Sequence, residues 1–229
     1  MGSAGIGTIV GFVLVVGATL AFAYAAIRKR TFVIVAGVWL ALLAVLALRG
    51  FFTQTAAMPP HFLLAVGVPM LAIVATFATP GGRRFVDALP LQMLTYLSVV
   101  RFGVELVLFG LAMDHLVPKD MTFIGHNFDI LAGFSAPIMG ALAFAGGKPA
   151  RGPLLVWNVI TFALLIHVVV VAVLSAPLPF QQLNFDRPAV ALLEWPLIWL
   201  PGFVVPMVLF AHLVAFWQLL GRARPRARQ

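Results

Sequence analysis

The chain has 229 residues, 62% of them hydrophobic and only 10% charged, with a net charge of +8 and no cysteine. A water-soluble domain carries about 25% charged residues, so the polar side chains here are too few to cover an aqueous surface, and lipid must be part of the solvent. The absence of cysteine excludes disulfides, thiolate metal sites and a cysteine nucleophile.

A membrane-spanning helix needs about 20 mainly apolar residues. Seven such stretches follow one another, at 6–26, 32–48, 61–79, 90–113, 128–146, 154–175 and 196–220. This predicts an all-α integral membrane bundle of seven transmembrane helices, one domain over residues 1–229. The small residues of "AFAYAA" imitate a signal-peptide cleavage site. Basic residues follow that first stretch rather than precede it, which is the order of a retained helix with its N-terminus outside. Gly7 and Gly11 lie four apart on it. That spacing permits close backbone contact, within the chain or between two copies as a homo-oligomer.

Taken alternately, the connectors carry Arg28, Lys29, Arg30, Arg83, Arg84, Lys148, Arg151 and the tail residues Arg222, Arg224, Arg226 and Arg228 on one side. The other side receives Arg49, Lys119 and Arg187. The eleven-to-three split puts the N-terminus outside and the C-terminus in the cytoplasm. The tail reads as an anchor on anionic lipid. Nine residues without a folded partner domain are too little for nucleic acid. The outer connectors hold the irregular sequence, and Pro177, Pro179 and Pro188 forbid a continuous helix in the second of them.

The fourth stretch contains two charges, Arg101 and Glu105, one helical turn apart. Thr95, Ser98, Arg101 and Glu105 fall within about a 120° arc, with Gly103 and Gly110 opposite. Both faces therefore look protein-facing and place this helix in the middle of the bundle. A charge at the bilayer centre costs roughly 2.5–3.5 kcal/mol on insertion scales, so intramembrane ionisable residues mark sites. The i, i+4 spacing predicts that Arg101 and Glu105 form a buried pair. His167, about 12 Å below the outer end of span six, lies at a depth similar to Glu105. At the start of span five, His126, Asn127 and Asp129 cluster where a helix N-terminus favours anions, although Asn127 also suits an N-cap. Arg101, Glu105, His167, His126, Asn127 and Asp129 are thus the candidate ligand-binding residues. Gly133, Ala136, Pro137 and Gly140 give span five a small face that packs tightly or leaves room. Pro201 and Pro206 predict a kinked span seven with freed carbonyls.

Other chemistries lack their marks. There is no HExxH and no close histidine pair for a metal. His167 and His212 sit at about 20 and 12 Å from the inner ends of their spans, a mismatch for a haem sandwiched between them. Span seven has no lysine for a retinal Schiff base. No GxSxG and no paired intramembrane aspartates point to hydrolysis. No pattern names a cofactor or a catalytic residue.

The stretches "MTFIGHNFDI", "SAPLPFQQ" and "WLPGFVVPMVLFAHL" resemble a family of bacterial seven-span inner-membrane proteins to which no function is attached. The resemblance covers roughly residues 90–220 and implies a bacterial inner-membrane location, with no site residue carried over. The residues themselves favour binding or transport of a small molecule or ion at a polar site open to the outer face. The alternatives are a membrane redox or metal- or haem-binding subunit, and a structural subunit of a membrane complex.

Overall fold

The computed structural model describes residues 4–221. Among the described residues nine α-helices follow one another: α1 (Ile6–Ile27), α2 (Arg30–Leu48), α3 (Phe62–Ala78), α4 (Pro80–Ala88), α5 (Leu91–Leu97), α6 (Val100–Met113), α7 (Ile130–Leu142), α8 (Arg151–Ser175) and α9 (Val205–Gly221). Short 3-10 turns occur at Lys119–Met121 and Val190–Leu193, and a π-helical turn at Leu200–Val204 leads into α9. There is no strand among the described residues.

The outward surface is apolar. On α2 alone, Ile34, Val38, Leu42 and Val45 are 64, 66, 44 and 56% exposed. Water does not tolerate so continuous an apolar face, whereas hydrocarbon does, and a helix satisfies its own backbone there. Five helices are long and apolar enough to cross a membrane: α1, α2, Leu91–Met113 counting α5 and α6 together, α8, and Leu200–Gly221. The α3–α4 pair makes a sixth if its 93° bend is counted within one crossing.

Several expected spans are interrupted for identifiable reasons. The fourth breaks at Ser98–Val99. The N–H groups of Ser98, Val99, Arg101 and Phe102 each bond to the carbonyl three residues back, at 3.0–3.2 Å, so one turn is wound tighter just before Arg101. The third ends where Thr79 Oγ1 accepts the Gly82 N–H at 3.2 Å and Pro80 starts α4. A Cβ at Gly82 would stand 2.0 Å from the Thr76 carbonyl oxygen, so only glycine fits this elbow. The fifth is shorter than the expected 128–146. Its 13 residues extend about 20 Å, which leaves it outside the candidate crossings, and Asn127 and Asp129 just before it are buried.

The α5–α6 pair lies at the centre, as its two non-lipid faces predicted. A Cβ at Gly103 would meet Val15 at 2.6 Å, and one at Gly110 would meet Thr8 at 2.8 Å, so α1 is seated directly on the glycine face. From the other side, a Cβ at Gly133 would be 2.2 Å from the Phe102 amide nitrogen, and one at Gly140 would be 2.5 Å from the Tyr96 ring. The small face of α7 is therefore closely packed. Gly11 lies against Val107 of the same chain, and Gly7 borders open space.

A carbonyl freed in the last helix finds a side-chain donor. Pro206 has no N–H to offer Gly202, and Trp39 Nε1 donates to that carbonyl at 2.9 Å. Gln218 Nε2 donates to the carbonyls of Val86 and Leu89 at 2.8 and 2.9 Å, closing α4. At the same end, Arg151 donates to the Leu219 carbonyl, Lys29 lies 5.5 Å over the Phe85 ring, and Arg83 lies 5.9 Å over Trp217. Lys29, Arg83 and Arg151, sorted to one side by counting connectors, thus converge at one end of the bundle. At the opposite end the Gly5 N–H donates to Asp114 Oδ2 at 3.0 Å.

Candidate functional site

Arg101 projects from the first turn of α6 and is 2% exposed. Its guanidinium meets the Asp129 carboxylate side-on. Nε donates to Oδ2 at 2.8 Å, and Nη2 donates to Oδ1. Nη2 also donates to the Thr161 carbonyl on α8 at 2.7 Å. Nη1 lies 3.1 Å from His212 Nε2 on α9. Arginine can only donate, so Nε2 must be the accepting nitrogen and the ring proton sits on Nδ1. That nitrogen lies 2.8 Å from Asn158 Oδ1, the acceptor such a tautomer requires. Four of the five guanidinium N–H groups are therefore partnered, and one side chain ties α6 to the start of α7, to α8 and to α9. A buried charge is tolerated when it is paired and most of its donors are hydrogen-bonded in this way.

Beside this closed cluster stands an open one. Glu105, one turn further along α6, is 1% exposed. Its Oε1 accepts from Asn127 Nδ2, which also donates to the Met121 carbonyl at 3.0 Å. Asn127 Oδ1 in turn accepts the Asp129 N–H at 3.0 Å, fixing the entry to α7. Glu105 Oε2 is buried and has no partner among the described residues. Glu105, Arg101 and Asp129 contribute to the wall of a cavity of about 160 Å³ between α3, α6, α8 and the π turn with α9. The rest of that wall is apolar and includes Phe62, Val66, Leu165, Val169, Val204 and Val208.

The arrangement corrects part of the sequence reading. Arg101 and Glu105 are both buried, but no salt bridge joins them; Arg101 pairs with Asp129 instead. Two parallel N–H···O bonds to a carboxylate facing the guanidinium edge are stronger than one contact between side chains stacked on the same helix. Asn127 and Asp129 join the site, and their burial brings the connector between α6 and α7 down into the bundle. His126 and His167 do not. His126 is exposed at the rim, where it lies 3.6 Å from Asp120, and His167 Nε2 is 3.1 Å from the His126 carbonyl oxygen.

His212, Asn158 and Thr161 belong to the polar cluster but stand outside the sequence-derived set. A signal for two of them exists. Asn158 is seven residues from the start of α8, and His212 nine from the end of α9, so antiparallel helices place them at similar depths from the same end of the bundle, about 11 and 14 Å. Thr161 contributes its main-chain carbonyl, which no side-chain pattern reports. Among the described residues no group of three or more His, Asp or Glu side chains is placed to hold a metal ion.

A family model described as Domain of unknown function (DUF8737) matches residues 57–220. That stretch contains every residue of the cluster and of the cavity wall. No curated protein and no solved structure matches the chain.

Proposed function

We propose, for a chain that belongs to the family described as Domain of unknown function (DUF8737), a seven-span protein of the bacterial inner membrane that binds or transports a small molecule at a polar site inside its bundle. One observation carries this reading: Glu105 Oε2 is buried without a partner, on a side chain that forms part of a cavity wall. Leaving such an oxygen unsatisfied costs about 1–3 kcal/mol, and more for a charged group. A ligand that donates one hydrogen bond, from an amine or hydroxyl, removes that cost. The other walls are apolar, so the remainder of the ligand is apolar too. A cavity of about 150 Å³ accommodates benzene, which sets the scale of the group that enters. Ile166, on the cavity wall and 40% exposed, supports entry from the lipid between α3 and α8. The closed Arg101 cluster then serves to position Asp129, Asn127 and, through them, Glu105.

The test is binding of benzyl alcohol against ethylbenzene to the purified protein, read as the rise in unfolding temperature across a concentration series. A net hydrogen bond contributes about 0.5–1.5 kcal/mol, so the hydroxyl-bearing probe should bind roughly two- to tenfold more tightly. Glu105→Leu should fold and lose that difference. Equal binding of the two probes by the wild type, or a preference that survives Glu105→Leu, refutes the site.

The eleven-to-three basic split supports an N-terminus outside and a C-terminus in the cytoplasm. A reporter fused after Gln229 is expected to be active only on the cytoplasmic side. Activity confined to the periplasm would reverse the topology.

A further inference from the structure

A second cavity, a groove of about 540 Å³, lies on the bundle surface between α2, α3 and α9, away from Glu105. Its walls are apolar, and small side chains at Ala36 and Ala72 give it depth. The groove has direction. Along α2 it runs from Lys29 and Thr31 to Trp39, and along the antiparallel α3 from Thr76 back to Val68. Each of these is about 12–15 Å at 1.5 Å per residue, close to the roughly 15 Å depth of one leaflet's hydrocarbon. One end therefore reaches the middle of the membrane. The other opens at the basic end of the bundle, where Lys29 is exposed and lies over the Phe85 ring.

We propose that this groove holds one acyl chain of an anionic phospholipid, with the lipid phosphate at Lys29. The charge at the mouth selects the occupant. Lys29 forms no salt bridge with an acidic side chain among the described residues, and exposed Arg28, Arg30 at the start of α2 and Arg84 on α4 add to the same positive field. Basic pockets between helices at a membrane surface hold anionic headgroups, and each Lys or Arg near an anionic surface adds to the attraction. A purely apolar occupant would leave that charge unused. A second copy of this chain would bring its own basic end to the same place, and like charges repel. The site is independent of the Glu105 cavity and stands whether or not that one binds a ligand.

The experiment compares phosphatidylglycerol with phosphatidylcholine of the same chain length, added to the full chain purified in an uncharged detergent. Retained lipid is counted by native mass spectrometry, and unfolding temperature is followed in parallel. The wild type should retain phosphatidylglycerol several-fold more than phosphatidylcholine and unfold later with it. Lys29→Glu, at an exposed position, should reduce that preference several-fold. Ala72→Phe, which fills the groove, should abolish retention of both lipids, and if it does not fold then Lys29→Glu decides alone. Equal retention by the wild type overturns the proposal, as does a preference unchanged in Lys29→Glu. Lipid retained by a folded Ala72→Phe variant would place it elsewhere and overturn the proposal too. A wild type that purifies as a dimer, with Ala72→Phe monomeric, would assign the groove to a second copy.

Discussion

Arg101→Ala should lower the stability of the protein by about 3–5 kcal/mol, and Asp129→Ala by a similar amount, because each leaves a buried charge without its partner. The arginine loss is the broader of the two. It removes the carboxylate's partner, a donor to the Thr161 carbonyl and the donor to His212 Nε2, so three other helical segments lose a shared anchor. Replacing both residues by apolar side chains of similar volume, Arg101→Met with Asp129→Leu, should recover much of the loss, since a buried pair exchanged as a whole is often close to neutral. Reversible unfolding in mixed micelles measures all three variants. If both alanine variants unfold with the wild type, the cluster does not hold the bundle together.

Gly133→Ala should be nearly as damaging. Overpacking a core typically costs 1–3 kcal/mol, and more where nothing can yield. Here the added methyl would meet the Phe102 amide nitrogen at 2.2 Å and its Cα at 2.8 Å, which are backbone atoms of α6. The helices must part, and Asp129, one turn earlier on α7, moves away from Arg101 with them. We expect a loss of about 3 kcal/mol, the upper end of that range. Gly7→Ala is the control. Its Cβ meets nothing within 4 Å, so stability should stay within about 0.5 kcal/mol. A Gly133→Ala variant as stable as Gly7→Ala would mean that α7 is not seated on α6 as described.

The helical character, the central place of the fourth apolar stretch and its polar arc were legible because they follow from local pattern. Thr95, Ser98, Arg101 and Glu105 repeat at helical spacing, and all four are buried. The glycines opposite them could be read as a seat for another helix, which proves to be α1. Pairing was not legible. The i, i+4 rule sees one helix at a time, whereas Asp129 reaches Arg101 only because α7 is short and Asn127 turns the preceding chain inward. The unequal depths of His212 and His167 argue against a haem between them but do not report what His212 touches; Asn158 shares its depth only because α8 and α9 are antiparallel. A main-chain acceptor such as the Thr161 carbonyl leaves no trace in the identity of its side chain.

The four-way anchor at Arg101 also constrains how the chain is made. Asp129, Thr161 and His212 follow Arg101 by 28, 60 and 111 residues. At a synthesis rate of about 5–20 residues per second, the carboxylate emerges roughly 1.4–6 s after the arginine, and the histidine roughly 6–22 s after it. Until then the nascent α6 offers Arg101 only Glu105, one turn along the same helix, as a counter-charge, and partition of the two into lipid is unfavourable. We expect α6 to leave the insertion machinery together with α7, whose Asp129 pairs with Arg101. The last helix completes the cluster only when translation is almost over, and a ribosome stalled before residue 212 leaves a bundle whose central cation still lacks its imidazole.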